Sequence, residues 1–378
     1  MLYMPIVLLF LNENGFGETE MFILHAVYSV VIALVEVPSG YVADNWGRKP
    51  SLILGALLGF IGFSCYAYSS SFYWFLLAEV VLGIGQAFIS GADSAMIYDS
   101  LLALKKKNLY LKIEGKITAA GNFAEGVAGI TVSMLAFAIY RNYYYMQSVL
   151  ALIAFIAALF LVEPKIHLSE VYKKNVWSII KYTFRENARL RHIILFSSLI
   201  GLASLSMAWF AQVILKSIQV SEENWGYAWA VLQFLVGFGS MSTYFFYKKF
   251  SKKFMLVLMF VVFGGGFLIA GIQLNLIAII VLIVFYFIRG TAHPILKNYI
   301  NEECTSDMRA TVMSMRSLLI RLAFFAVAPW MGYLSENISA STALLCTGAV
   351  VVLPGFVFLW LTIRDINKPG YNSSSSSS

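Results

Sequence analysis

"PSGYVADNWGRKPSL", residues Pro38 to Leu52, sets two glycines, an aspartate, an arginine and a lysine between two long apolar stretches. Whether those flanks lie in lipid decides what the charges are for. The chain has 378 residues, 60% of them apolar and 12% charged. Soluble globular proteins carry about 45–50% apolar and about 25% charged residues. The excess falls in blocks near the roughly 20 residues that an α-helix needs to cross hydrocarbon. The composition predicts an all-α, multi-pass membrane protein with the lipid bilayer as its first partner.

The apolar blocks predict twelve transmembrane helices, over residues 1–12, 20–43, 50–69, 72–98, 113–139, 143–162, 191–213, 223–247, 254–272, 275–298, 309–333 and 340–363. The first block, Met1–Leu11, is about 11 residues, roughly 16 Å of helix. It reads as a helix truncated at its start, and it lacks the basic flank and small-residue site of a cleavable signal. A long basic connection at mid-chain separates two groups of six. The expected division is a six-helix bundle over 1–162, a linker over 163–190, a second six-helix bundle over 191–364 and a tail over 365–378. Within the linker, Val171, Trp177, Ile180 and Phe184 recur near helical spacing among lysines, which suits an amphipathic helix at a membrane surface.

Lys and Arg alternate from connection to connection. Arg48/Lys49, Lys105–Lys107, Lys165–Arg191, Lys248–Lys253, Lys297/Arg309 and Arg364/Lys368 fall on one side; the other side has only Arg141 and Lys216 among acids such as Glu13, Glu18, Glu222 and Glu336. The basic side is therefore expected to be cytoplasmic, with the C-terminus on it. The expected location is the cytoplasmic membrane of a bacterium. The net charge of +7 is used up by this topology, and no nucleic-acid partner is expected. The three cysteines and four histidines are scattered, with no metal-ligand spacing. No phosphate-binding G-x-x-x-x-G-K-[ST] motif is present. No metal, cofactor or enzymatic nucleophile is expected.

Gly40 to Leu52 spells G-x-x-x-D-x-x-G-R-K-x-x-L. At this topological position it resembles the loop between helices two and three of the major facilitator superfamily. Arg309–Met315 ("RATVMSM") and Ser90–Leu101 ("SGADSAMIYDSL") are similar to segments of its drug-exporter-like members. Two departures stand out: Glu79 occupies the slot where the family often has an arginine, and Gly121, Gly126 and Gly129 match the antiporter motif of helix five only in part, with Glu125 in a glycine's place. The resemblance implies two six-helix bundles in the major facilitator fold. It also implies a cytoplasmic latch of Gly40, Asp44, Gly47, Arg48 and Lys49, with Asp99 and Glu114 as acidic partners.

An ionisable group inside a span costs at least about 2.5–3.5 kcal/mol and is a functional candidate by default. In the first half these are Glu36, Asp93 and Glu125, expected to couple protons, with Glu79 expected nearer the surface as a gate or solvated residue. In the second half they are bases. Arg289 and Arg321, with Trp209, Gln212 and Gln233, are expected to line a substrate cavity; Arg316 and His293 could be structural. Arg289, His293 and Lys297 repeat every four residues and share a helix face. The expected function is proton-coupled export of a small amphipathic drug or metabolite by alternating access, by a monomer driven by a proton gradient. The alternative is proton-coupled uptake of a small anionic metabolite.

Overall fold

The computed structural model describes residues 1–106, 109–135, 139–163, 176–304 and 308–367. Among them every regular element is helical. They are α1 (Val7–Glu13), α2 (Glu18–Trp46), α3 (Arg48–Tyr68), α4 (Phe72–Ala103), α5 (Tyr110–Leu135), α6 (Arg141–Leu159), α7 (Val176–Lys181), α8 (Ala188–Ser217), α9 (Trp225–Lys249), α10 (Lys252–Phe260), α11 (Gly266–Ile272), α12 (Leu276–Glu302), α13 (Arg309–Asn337) and α14 (Ala340–Ile366). A π-turn at Val261–Gly265 joins α10 and α11 into one span.

Among the described residues ten segments are long and apolar enough to cross a membrane: α2, α3, α4, α6, α8, α9, α10 with α11, α12, α13 and α14. The chain is an integral, multi-pass membrane protein. Two of the twelve expected spans fall outside the ten. The apolar helix over Met4–Glu13 is short, and α5 carries Lys112, Glu114, Lys116 and Glu125 along its length. The expected linker helix begins at Val176, while 164–175 and the tail beyond 367 lie outside the described residues.

Local chemistry sets the helix ends. Asn187, Ser251, Asn275 and Ser339 cap α8, α10, α12 and α14 by accepting backbone N–H bonds in the first turn. Glu20 accepts from Gly17 N at 2.9 Å at the start of α2. Lys248 and Lys249 close α9 and Arg364 closes α14, placing cations at the negative ends of the helix dipoles.

The chain divides into two compact units. Unit 1 comprises 1–169, 219–233 and 324–336; unit 2 comprises 170–218, 234–323 and 337–378. In unit 1, α3 packs between α4 and α6, and α2 lies on α4. Lipid gives helices no hydrophobic reason to associate, so close backbone approach between small residues does the work. A Cβ on Gly55 would sit 2.8 Å from Gly85 O, and one on Gly85 would sit 2.9 Å from Gly55 O. Gly59, one turn from Gly55, faces open space. In unit 2, α8 is the central helix, buried along most of its length and flanked by α12 and α14.

Candidate functional site

The Pro38–Leu52 stretch is two helix ends meeting at one residue. α2 runs on through Pro38 and Gly40 to Trp46, and α3 starts at Arg48. Gly47 turns the chain between them with φ +107° and ψ 159°, a backbone region open essentially to glycine alone. Gly40 lies inside α2 with nothing within 4 Å of where a Cβ would be, so of the two glycines only Gly47 makes the turn. The freed N–H groups at the start of α3 find a carboxylate that sequence reasoning missed. Glu163, just past α6, accepts from Arg48 N at 2.7 Å and from Lys49 N at 2.6 Å. A carboxylate straddling a helix N-terminus is favoured by both hydrogen bonding and the helix dipole. The side chains of Asp44, Asp99 and Glu114 lie outside the described residues.

At the opposite end of unit 1, Arg141 is a structural hub. Its guanidinium donates to Ala67 O (3.1 Å), Ser69 O (2.5 Å), Asn14 Oδ1 (2.7 Å) and Ser70 Oγ (2.6 Å), and it lies 5.7 Å from the Phe10 ring centroid. It therefore satisfies carbonyls at the C-terminus of α3. Nearby, Tyr140 donates to Glu222; burial, then that carboxylate and Glu13, hold the Tyr140 phenol above its ordinary range. Glu18 accepts from Ser335, and Glu336 accepts from Thr19 N at 2.9 Å.

Glu79 corrects the sequence reading. It is neither solvated nor at a surface: it is 3% exposed, one side of a buried polar knot in unit 1. Tyr66 Oη donates to Glu79 Oε1 at 2.5 Å, and His25 Nδ1 lies 3.9 Å from the same oxygen. The Tyr66 ring is fixed between Phe75 (4.9 Å) and Tyr144 (5.0 Å) in stacked pairs, with Phe10 against both of those rings. Side chains of α1, α3, α4 and α6 thus hold a phenol against one carboxyl group.

The three coupling candidates sit differently. Glu36 and Glu125 are half-buried, and Asp93 is exposed. At 3.6 residues per turn, Asp93 lies roughly 160° around α4 from Leu77, which belongs to the exposed apolar face with Tyr73 and Trp74. Asp93 is thus exposed on a face turned from the apolar one, about 15 Å from the helix's far end.

In unit 2 the cationic candidates gather on α12 and α13. Arg316 is 5% exposed and donates to Ser197 Oγ of α8 at 2.5 Å. Arg289 is half-buried with its guanidinium 5.3 Å from the Tyr286 ring centroid. Arg321 Nε lies 3.4 Å from Ser317 Oγ. Trp209 and Gln212 of unit 2, and Trp229 and Gln233 of unit 1, are buried. At the other end of α8, His192 Nδ1 and Asp365 Oδ2 meet at 2.6 Å, both buried. Beside them, Arg189, Lys252, Glu303 and Asp365 line a cleft. Burial holds the Glu303 carboxyl above its ordinary range, against the pull of Lys252 and Arg189. Among the described residues no cluster of His, Cys, Asp and Glu could hold a metal.

These features are those of a multi-pass helical membrane bundle. The family model for the Major Facilitator Superfamily matches residues 1–328. The chain belongs to that superfamily. It is 23% identical over 184 residues to a protein named multidrug resistance protein MdtL of Shewanella sp., covering 49% of this chain and 46% of that one. It is 29% identical over 107 residues to the methyl viologen resistance protein SmvA of Salmonella typhimurium, covering 28% and 22%. A relative from Buchnera aphidicola, named only as an uncharacterized transporter, is 22% identical over 175 residues, covering 46% and 44%. The chain thus spans about half or less of the length of these curated relatives. Its fold matches a mutant form of the nucleoside transporter NupG with TM-score 0.80 at 15% identity, covering 95% and 96%. It matches a D-xylose-proton symporter with TM-score 0.73 at 14% identity, covering 94% and 91%.

Proposed function

We propose that the protein is a secondary active transporter that exports a small amphipathic compound in exchange for protons, with two six-helix bundles alternating access to a central site. The observation that carries the reading is Asp93, an exposed carboxylate in a membrane helix, on a face turned from the apolar one. Such a group can exchange protons with water and still feel the membrane's low dielectric. Its charge therefore changes the relative cost of the states in which it faces each side, and only such a differential cost can drive the cycle. Glu36 and Glu125 are half-buried and can share the role; Glu79, sealed under Tyr66, holds the bundle instead. The named relatives MdtL and SmvA favour export. On this reading the basic ends face the cytoplasm, and Gly47 with Glu163 forms the hinge of a cytoplasmic latch. The basic α12 face favours a second reading, uptake of an anionic metabolite.

Everted membrane vesicles separate the two. With an acidified lumen, a panel of amphipathic dyes should accumulate inside, should leak out when nigericin collapses the gradient, and should fail to accumulate in Asp93→Asn. Accumulation that survives both nigericin and Asp93→Asn overturns the proposal. Accumulation only in right-side-out vesicles supports uptake.

A further inference from the structure

α12 exposes two different faces. Leu276, Ile277, Ile280, Ile283 and Val284 form an apolar one. His293 and Lys297 are also exposed, yet His293 lies roughly 140° around the helix from Ile280, at the centre of that face. A polar side chain exposed away from the lipid-facing stripe is reached by water rather than by acyl chains. Arg289 begins this second face one turn earlier, and its Nη1 is buried with no acceptor among the described residues. From α13, Arg316 closes the group; the charges bearing on His293 are those of Arg316, Lys297 and Arg289. The acids of unit 2 lie at the ends of its helices or beyond them, at Glu170, Glu186, Glu302, Glu303, Asp307 and Asp365, while the stretches 187–218, 234–301, 308–323 and 337–364 contain no aspartate or glutamate. A cation concentration of this kind, held at one side by Ser197, has the chemistry to receive an anion. Guanidinium groups present forked donors to two oxygens at once, and an ammonium adds a point charge.

We infer that Arg289, His293, Lys297 and Arg316 form an anion-binding site within unit 2, which takes the carboxylate or phosphate group of the transported solute. The inference rests on the transporter reading, and it names the substrate class for either direction of transport.

The test uses the full chain in phosphatidylcholine nanodiscs without any ion gradient, so its failure is separate from failure of proton-driven flux. Salicylate and phenyl phosphate are titrated against the neutral isostere salicylamide, with binding read by calorimetry and by the melting temperature. At least one anion should bind and raise the melting temperature where salicylamide does not. That binding should weaken tenfold or more in Arg289→Gln and in Lys297→Gln. Added chloride should weaken it too, since the attraction is electrostatic. Equal behaviour of the anions and salicylamide overturns the inference, whichever variants fold. So does anion binding unchanged in both variants. If neither anion binds and only phosphatidylglycerol nanodiscs stabilise the protein through Arg289, the cluster takes a lipid headgroup and the solute site is refuted.

Discussion

Removing one oxygen atom tests the buried knot around Glu79. In Tyr66→Phe the ring keeps its stacks on Phe75 and Tyr144, at 4.9 and 5.0 Å, so the change isolates the hydroxyl that donates to Glu79 at 2.5 Å. A buried polar group left without its partner costs about 1–3 kcal/mol, and Glu79 at 3% exposure has no route to replacement by bulk water. Tyr66→Phe should therefore destabilise the protein by about 2 kcal/mol. In a Glu79→Leu background the acceptor is gone, and the same change should cost about 0 to 0.5 kcal/mol or even stabilise. The coupling energy of the cycle should then be about 1.5–2 kcal/mol, as for residues in direct contact. Reversible unfolding in mixed micelles, titrated with dodecyl sulfate and followed by tryptophan fluorescence, measures all four proteins. A cost below about 0.5 kcal/mol in the wild-type background, or equal costs in both backgrounds, would refute the reasoning.

At the other end of unit 1, Gly47→Ala places a side chain where φ is +107° and should cost about 1–3 kcal/mol, seen in the same unfolding assay. Glu163→Gln keeps the shape but removes the charge over the α3 N-terminus, so it should cost about 1 kcal/mol and lose that effect in high salt. Arg141→Ala strips four acceptors of their donor at once and should cost about 2–4 kcal/mol; Arg141→Lys should recover only part of this in the melting temperature, because an ammonium lacks the planar fork.

Much of the scaffold was legible because lipid imposes a simple requirement on composition and length. The block at 275–298 became α12, Leu276–Glu302, and the block at 340–363 became α14, Ala340–Ile366. α5 was harder, since its charges dilute the apolar signal while its helix remains. What escaped the sequence was whatever depends on partners far along the chain. Glu79 stands seven residues into α4, a position that suggests solvation; its burial is imposed by Tyr66 and the rings packed around it. Glu163 reads as the first linker residue, and the N–H groups it serves are 115 and 114 residues away. Arg141 reads as an exception to the charge rule, whereas its partners Ala67 and Ser69 show it capping a helix. Gly55 and Gly59 look alike in sequence, but of the two only Gly55 has no room for a Cβ, which would meet the backbone of Gly85.

Thiol labelling tests the central claim most directly, that α4 and α12 each turn a charged, water-lined face away from lipid. With Cys65, Cys304 and Cys346 replaced by serine or alanine, single variants Asp93→Cys, His293→Cys, Leu77→Cys and Ile280→Cys are exposed in open membrane fragments to a water-soluble methanethiosulfonate. The account predicts rapid modification at positions 93 and 293 and slow modification at 77 and 280. Equal, slow modification at all four positions would contradict it.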